Sequence, residues 1–527
     1  MPDVNSIFAK KSLDVKSYRI EKLLKRFKRT NFDDPLYNKN WYIHNTDLES
    51  MEIEEAWEMG YTGKGITVTV VDDGLDFNHK DLKENYSPES SYNFNENKLD
   101  PTPRDDGNNL HGTQCAGIIA MKPNNELCGV GVAYDSRIGG IKLLDGFIND
   151  KTESDAFGYM QNITDIYCNS YGPEDFGTVY ERPNVLSQAS LEKGAREGRQ
   201  GKGNIYIFAS GNGGRIEEEK GDDSCGMDGY AQNVYSFAIA AIDSNYEVPV
   251  YAEQCGAVLV STYSNRQYIG NKGPAVTTEP FDDKCSKSFA GTSLSAPIFA
   301  GIVALVLESN SNLTWRDIKH IVVRTSEMKH IIEASDEGDW TRNKAGLYHS
   351  PYFGFGLAKA KKMIETALKW VNVETMKICT ANYPSIEKPL IIWANEIGVI
   401  ETNFTGCHGK SFEVNFIETV QLSITGSSQY RGNLTIDLIS PSGTQSQLMF
   451  GRKFDNNTLI NNWKLNTLAF WGESAKGTWK LLLHSAGCQS MISNFFFTVY
   501  GTKENVYQNN ILLTTNNAYS YKTRQLK

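Results

Sequence analysis

The sequence predicts an α/β domain, built on a mostly parallel sheet flanked by helices, followed by an all-β domain of sandwich or jelly-roll type. Three observations lead there. Ile66 to Val71 is an unbroken β-branched run, suited to a strand buried on both faces, and it ends in Asp72-Asp73-Gly74. Two more apolar strands, Asn204 to Ala209 and Tyr235 to Ile242, follow at spacings that leave room for helical crossovers. After Trp370 the period drops to two: Glu413–Ile424, Leu434–Ile439, Trp479–Leu483 and Phe495–Val499 alternate, separated by turns such as Pro441-Ser-Gly443.

A chain of 527 residues exceeds one ordinary core, so two or three domains are expected. Apolar content of 40% and charged content of 22% are those of a folded protein. The net charge of −10 argues against nucleic acid or an anionic membrane as a bulk partner, but suits a basic substrate read by acidic pockets. No apolar run approaches a membrane span, and the first residues lack the apolar core of a signal peptide. The nine cysteines show no paired metal spacing. Sequons at Asn85, Asn162, Asn312, Asn403, Asn433 and Asn456 weakly suggest secretion, and composition leaves the compartment undecided.

Taken in order, residues 1–29 end in Lys25-Arg-Phe-Lys-Arg29, either a solvated basic run or a cleavage site before Thr30. Asp72 falls at a strand end, where open parallel sheets gather ligands and catalysts. His111 opens a small-residue helix running to about Ala120. Ser210-Gly-Asn-Gly-Gly214 is a turn whose glycines permit close approach. Ser288 to Pro297 leads into an apolar helix over Ile298 to Leu307, which puts Ser293 at a helix N-terminus. Thr314-Trp-Arg-Asp317 is a capping box for a helix through Thr325, Leu357 to Trp370 is helical by period, and the polar tail from Lys503 is expected to fray.

Singly, Asp72 is a turn residue, His111 a helix start, Asn212 a turn amide and Ser293 a helix cap. Together they supply an acid to orient an imidazole, a base, an amide donor for an oxyanion and a nucleophile.

Val70-Val-Asp-Asp-Gly74, His111-Gly-Thr-Gln-Cys-Ala-Gly117, Ala209-Ser-Gly-Asn-Gly-Gly214 and Gly291-Thr-Ser-Leu-Ser-Ala-Pro297 resemble the catalytic motifs of the subtilisin superfamily. The doubled Asp72-Asp73, Ser170-Tyr-Gly-Pro-Glu-Asp175 and Asp223-Ser-Cys-Gly-Met-Asp-Gly-Tyr230 narrow the resemblance to its kexin/furin branch, the proprotein convertases. It extends through Cys128-Gly-Val-Gly-Val-Ala-Tyr134 and Asn312-Leu-Thr-Trp-Arg-Asp317 and covers residues 32–502. The resemblance implies a propeptide remnant over 1–29, a subtilisin-like catalytic domain over 30–370, a P domain over 371–502 and a polar tail over 503–527. It also implies a monomeric, calcium-dependent serine endopeptidase that cleaves precursor proteins after Lys-Arg or Arg-Arg, with its own propeptide as a further partner.

By the same resemblance, substrate lies along Ser170, Gly172 and Pro173. Asp175 and Asp228 form the base of the first pocket, Asp73 and Asn108 belong to the second, and Glu153 and Glu181 attract a basic residue further upstream. One implied calcium site is Asp175, Asp223 and Glu253. Another is Asp34, Asp81 and Asn125 with the carbonyls of Lys122, Leu127 and Gly129. A third implied site fails, because its positions read Asn93, Lys98 and Asp100. Asn108 stands where an aspartate is usual, which weakens discrimination at the second pocket, and Tyr171 replaces a tryptophan. The implied disulfides are Cys128–Cys285, Cys225–Cys255 and Cys379–Cys407, with Cys115 a free thiol and Cys168 and Cys488 expected as buried thiols. Paired cysteines point to the secretory pathway, Golgi or late Golgi, or to secretion. The competing readings are a broad degradative subtilase, opposed by the five pocket acids, and a catalytically silent binding module, opposed by the complete set Asp72, His111, Asn212 and Ser293.

Overall fold

The computed structural model describes residues 32–44, 48–214, 222–265, 275–334, 339–381 and 389–509; the basic run at 25–29 lies outside the described residues. Seven strands form one sheet: β1 (Thr67–Asp72), β2 (Tyr92–Asn93), β3 (Arg137–Lys142), β4 (Ile166–Asn169), β5 (Ile205–Ala209), β6 (Ser236–Ile242) and β7 (Val258–Tyr263). Their order is β2-β3-β1-β4-β5-β6-β7, and every pairing is parallel. All six residues of β1 are buried, as a sheet covered on both faces requires. Because β1, β4 and β5 are parallel neighbours, Asp72, Ser170 and the Ser210–Gly214 turn emerge at the same edge. The fold sets these three motifs side by side before any side chain is considered.

The fourth motif arrives on the helix Thr292–Ser309, which crosses the sheet. Leu294, Ile298, Ile302, Val303, Leu305, Val306 and Leu307 are fully buried there, each contributing about 1.5–3 kcal/mol of apolar transfer. This 18-residue helix has a mean hydropathy of 1.6, long and apolar enough to cross a membrane. That corrects the expectation that no run approaches such a length; its apolarity reflects burial on all sides in the domain core.

The capping box closes as expected: the Thr314 hydroxyl accepts the Asp317 N–H at 3.1 Å, and Asp317 accepts the Thr314 N–H at 2.7 Å. Leu357 to Trp370 is shorter as a helix than its period suggests, covering Ala360–Ala367. Leu357 instead bridges Ser261 and Glu327, and this tertiary pairing overrides local periodicity.

Beyond it, two antiparallel sheets face each other. One orders Lys377–Ala381, Ser490–Thr502, Phe416–Ser428 and Leu459–Thr467; the other orders Ile397–Phe404, Gly477–Ser485, Leu434–Ile439 and Gln445–Met449. Val420, Leu422, Ile436, Trp463, Trp479 and Phe497 fill the space between them. Met227, from the first domain, joins this core, and Trp463 Nε1 donates to the Gly226 carbonyl at 2.9 Å. Buried Glu418 accepts Arg316 Nε at 2.9 Å and pairs with His320 at 3.0 Å across the same seam. The start of the tail is ordered rather than frayed: Tyr507 receives the Trp471 indole N–H at 2.9 Å on its hydroxyl.

The cysteines pair as Cys128–Cys285, Cys225–Cys255 and Cys379–Cys407, leaving Cys115, Cys168 and Cys488 as buried thiols. Of the sequons, Asn85 is closed to modification: it is buried, and its amide donates to the carbonyls of Ala120 and Tyr134.

Candidate active site

At the sheet edge the side chains meet. Asp72, 1% exposed, accepts His111 Nδ1–H on Oδ2 at 2.8 Å, which leaves His111 Nε2 as the basic nitrogen. Burial disfavours the imidazolium, but the Asp72 carboxylate and, after it, Cys115 together hold the His111 pKa well above its ordinary value. Asp73 clamps the same helix: its oxygens accept the N–H groups of His111 at 2.9 Å and Gly112 at 2.7 Å. Burial, reinforced by the Asp72 charge, raises Asp73 to about 7. Asp73, expected as a second-pocket acid, thus also fixes the backbone of His111. Residue 112 has no room for a side chain, since a Cβ there would stand 2.2 Å from the Gly74 carbonyl oxygen.

Ser293 sits in the first turn of its helix, half-buried, with its carbonyl 3.4 Å from Ser170 Oγ and 3.9 Å from Cys115 Sγ. Beside it, Asn212 Oδ1 receives the Thr292 N–H at 2.9 Å and the Thr292 hydroxyl at 3.0 Å. With its oxygen held twice, the amide presents Nδ2 as a fixed donor. Thr292 is therefore a site residue that sequence reasoning missed, although a hydroxyl next to the candidate nucleophile was the available signal.

Acids cluster around the Asn212 turn. Asp175, half-buried, accepts the Asn212 N–H at 3.0 Å. Asp223 accepts Gly177 N–H and Ser224 N–H, each at 2.7 Å, and Glu253 accepts Gly213 N–H at 2.8 Å. Asp228 accepts Tyr230 N–H at 2.7 Å, and its Oδ2 would stand 2.9 Å from a Cβ at Gly172. Burial first, and neighbouring carboxylates after it, raise Asp175 to about 6, Asp228 to about 8 and Glu253 well above its ordinary value. Gly211, at φ +105° and with no space for a Cβ against Glu253, lets the chain turn there.

Glu153 is buried, and burial raises its pKa; exposed Glu181 contributes to that rise and lies in a backbone bridge with Asp228. Pro173 continues the segment after β4, and Asn108 is exposed on a loop, bonding back to Asp106 at 2.9 Å.

At the second candidate cation site Asp34 accepts the N–H groups of Asn124 at 2.8 Å and Asn125 at 3.2 Å. Asn125 donates its amide N–H to Asp81 and accepts the Leu127 N–H on its oxygen at 3.0 Å. Lys122 N–H reaches the Asp81 carbonyl at 3.0 Å, and Gly129 lies against Asn40. Asp81 Oδ2 is buried with no hydrogen-bond partner, and burial raises Asp81 to about 7. An orphaned carboxylate oxygen here, and mutually destabilising acids at the other site, are oxygen-rich environments that fit a hard cation. Around Asn93, Lys98 and Asp100 the arrangement is different, with Lys98 paired to Glu96 at 2.8 Å and Asn93 bridged to Lys98 through the backbone.

The sequence profile of the Subtilase family matches residues 63–356, and that of the proprotein convertase P-domain matches 417–494. The chain is 39% identical to human proprotein convertase subtilisin/kexin type 6 over 492 residues, 90% of this chain and 49% of that protein. It is 38% identical to furin-like protease 1, isoform 1-CRR, of Drosophila melanogaster, over 90% of this chain and 42% of that one. The chain thus spans about half the length of these relatives. Among solved structures, the serine protease of Aeromonas sobria aligns with a TM-score of 0.76 at 21% identity, over 90% of this chain and 96% of that one, a likeness of fold. With a subtilase profile over more than half of its length, the chain belongs to the Subtilase family, and a proprotein convertase P-domain profile follows in its second domain.

Proposed function

We propose that the chain is a calcium-dependent endopeptidase that cuts precursor proteins of the secretory pathway after paired basic residues. Ser293 attacks the scissile carbonyl, His111 Nε2 takes its proton and later returns it to the leaving amine, and Asp72 holds the imidazole in the required tautomer. Asn212 Nδ2 donates to the developing oxyanion. Substrate lies along Ser170, Gly172 and Pro173, with the arginine before the cut entering toward Asp175 and Asp228. Asp73 and Asn108 border the second pocket, and Glu153 and Glu181 wait upstream.

The observation that carries this reading is the cluster of carboxylates packed against the Asn212 turn, Asp175 on the Asn212 N–H, Glu253 on the Gly213 N–H, Asp223 on the Gly177 N–H and Asp228 on the Tyr230 N–H, an environment that suits a guanidinium better than a neutral side chain. Calcium, where bound, supplies positive charge among oxygen donors: Asp175, Asp223 and Glu253 at one site, Asp34, Asp81 and Asn125 with the Lys122, Leu127 and Gly129 carbonyls at the other. Three disulfides suit an oxidising compartment. The propeptide role of residues 1–29 and a monomeric state belong to the same proposal.

Peptides carrying Arg-X-Lys-Arg and Ala-X-Ala-Ala before a reporter test it. The basic peptide is expected to react faster by roughly 10⁴ in kcat/KM, and chelation should abolish the reaction. Equal rates would favour a degradative subtilase; insensitivity to chelator would remove calcium from the account. At the second pocket, Asn108→Asp is expected to widen the preference for Lys over Ala by about 2- to 5-fold, the effect of an exposed charge. An unchanged ratio would take residue 108 out of that pocket.

A further inference from the structure

The first candidate calcium site is touched by the second domain. Arg452, 1% exposed, donates from Nη1 to Asp223 Oδ1 at 2.9 Å and to the Val179 carbonyl at 2.6 Å, and from Nη2 to Asp455. Asp455 is shared: Arg431, also buried, reaches it through Nε at 2.7 Å and Nη2 at 3.0 Å. Two guanidiniums thus divide one carboxylate, which leaves one positive charge uncompensated, and Asp223 is the acid that faces it.

From Asp223 the contacts run directly to the reacting turn. Asp223 N–H bonds the Gly213 carbonyl at 2.8 Å, Gly213 N–H bonds Glu253, and Asn212 N–H bonds Asp175. In a low-dielectric cluster, acids that lose a paired cation are strongly destabilised.

We propose that Arg452 is a positioning residue for the first pocket, and that its guanidinium shares with bound calcium the neutralisation of Asp175, Asp223 and Glu253. The inference rests on the calcium reading above. Without calcium the cluster depends on Arg452; with calcium the burden is divided. Removing the guanidinium therefore costs the calcium-free protein more than the loaded one, a difference that mere packing of Arg452 would not produce.

Thermal unfolding of the full chain in a Ser293→Ala background, with calcium and with chelator, measures this. Arg452→Met is expected to lower Tm in both states and to widen the calcium-induced rise in Tm by about 3 °C. Arg452→Lys, which keeps the charge, should leave that rise near the parent value. Arg316→Met, which breaks the seam at Glu418 away from the acids, should lower both states equally. Folding of Arg452→Met only in the presence of calcium would support the proposal in its strongest form. Should that variant fail to fold in either state, a wider rise in Arg452→Gln than in Arg452→Lys supports the proposal, and equal rises overturn it. A rise unchanged by Arg452→Met overturns the proposal while leaving the calcium reading intact; no rise in the parent overturns both.

Discussion

Ser293→Ala is expected to lower kcat on a Lys-Arg peptide by about 10⁶ while leaving KM nearly unchanged. The hydroxyl contributes in the transition state, where it becomes the bond to carbon, and little in the ground state, where the acidic pocket holds the substrate. What survives is the contribution of Asn212 and of substrate binding, because its partners act as a unit and lose their purpose together. Steady-state rates, checked against a covalent titrant of the serine, measure this. A variant that kept more than about a hundredth of the parent rate would rule Ser293 out as nucleophile.

Asp72→Asn carries the second large effect, a fall in kcat of about 10⁴, because an amide stabilises the wrong imidazole tautomer. It also carries a signature in pH. His111 must be neutral to accept the serine proton, so kcat/KM climbs as pH rises through the His111 pKa. Burial lowers that pKa, and the Asp72 carboxylate, with Cys115 after it, raises it, leaving it well above the ordinary value. Replacing the carboxylate by an amide removes the upward pull and keeps the burial. The acid limb of the weakened variant should therefore move to lower pH. A limb that stayed in place would assign the titration to another group.

Much of the catalytic edge was legible because it depends on local rules. A β-branched run names a buried strand, a parallel strand ends where function gathers, and a small-residue helix after His111 names the element that holds it. The apolar stretch after Ser293 names a buried helix, and the helix Thr292–Ser309 is buried through Leu307. The three cysteine pairs followed from the resemblance to a family and not from spacing, which admits many pairings. Leu357 misled the periodicity because its partners, Ser261 and Glu327, lie elsewhere in the chain.

Other features had no local trace. That Asp73 also holds the N–H groups of His111 and Gly112 is seen only in the packed structure. Asn85 reads as a glycosylation acceptor until its amide is seen between two buried carbonyls. Thr292 became informative once its two donors were found on Asn212 Oδ1.

By itself the sequence determined which residues stand at the ends of strands and helices along the edge of the sheet: Asp72, His111, Asn212 and Ser293. Only the tertiary structure decided how the acids around them are balanced. Arg452 and Asp223 are 229 positions apart, and their contact exists because the fold brings the two domains together at one seam. Element ends follow from interactions within a few residues, whereas the neutralisation of a buried charge is set by whatever the whole fold brings within a few ångströms of it.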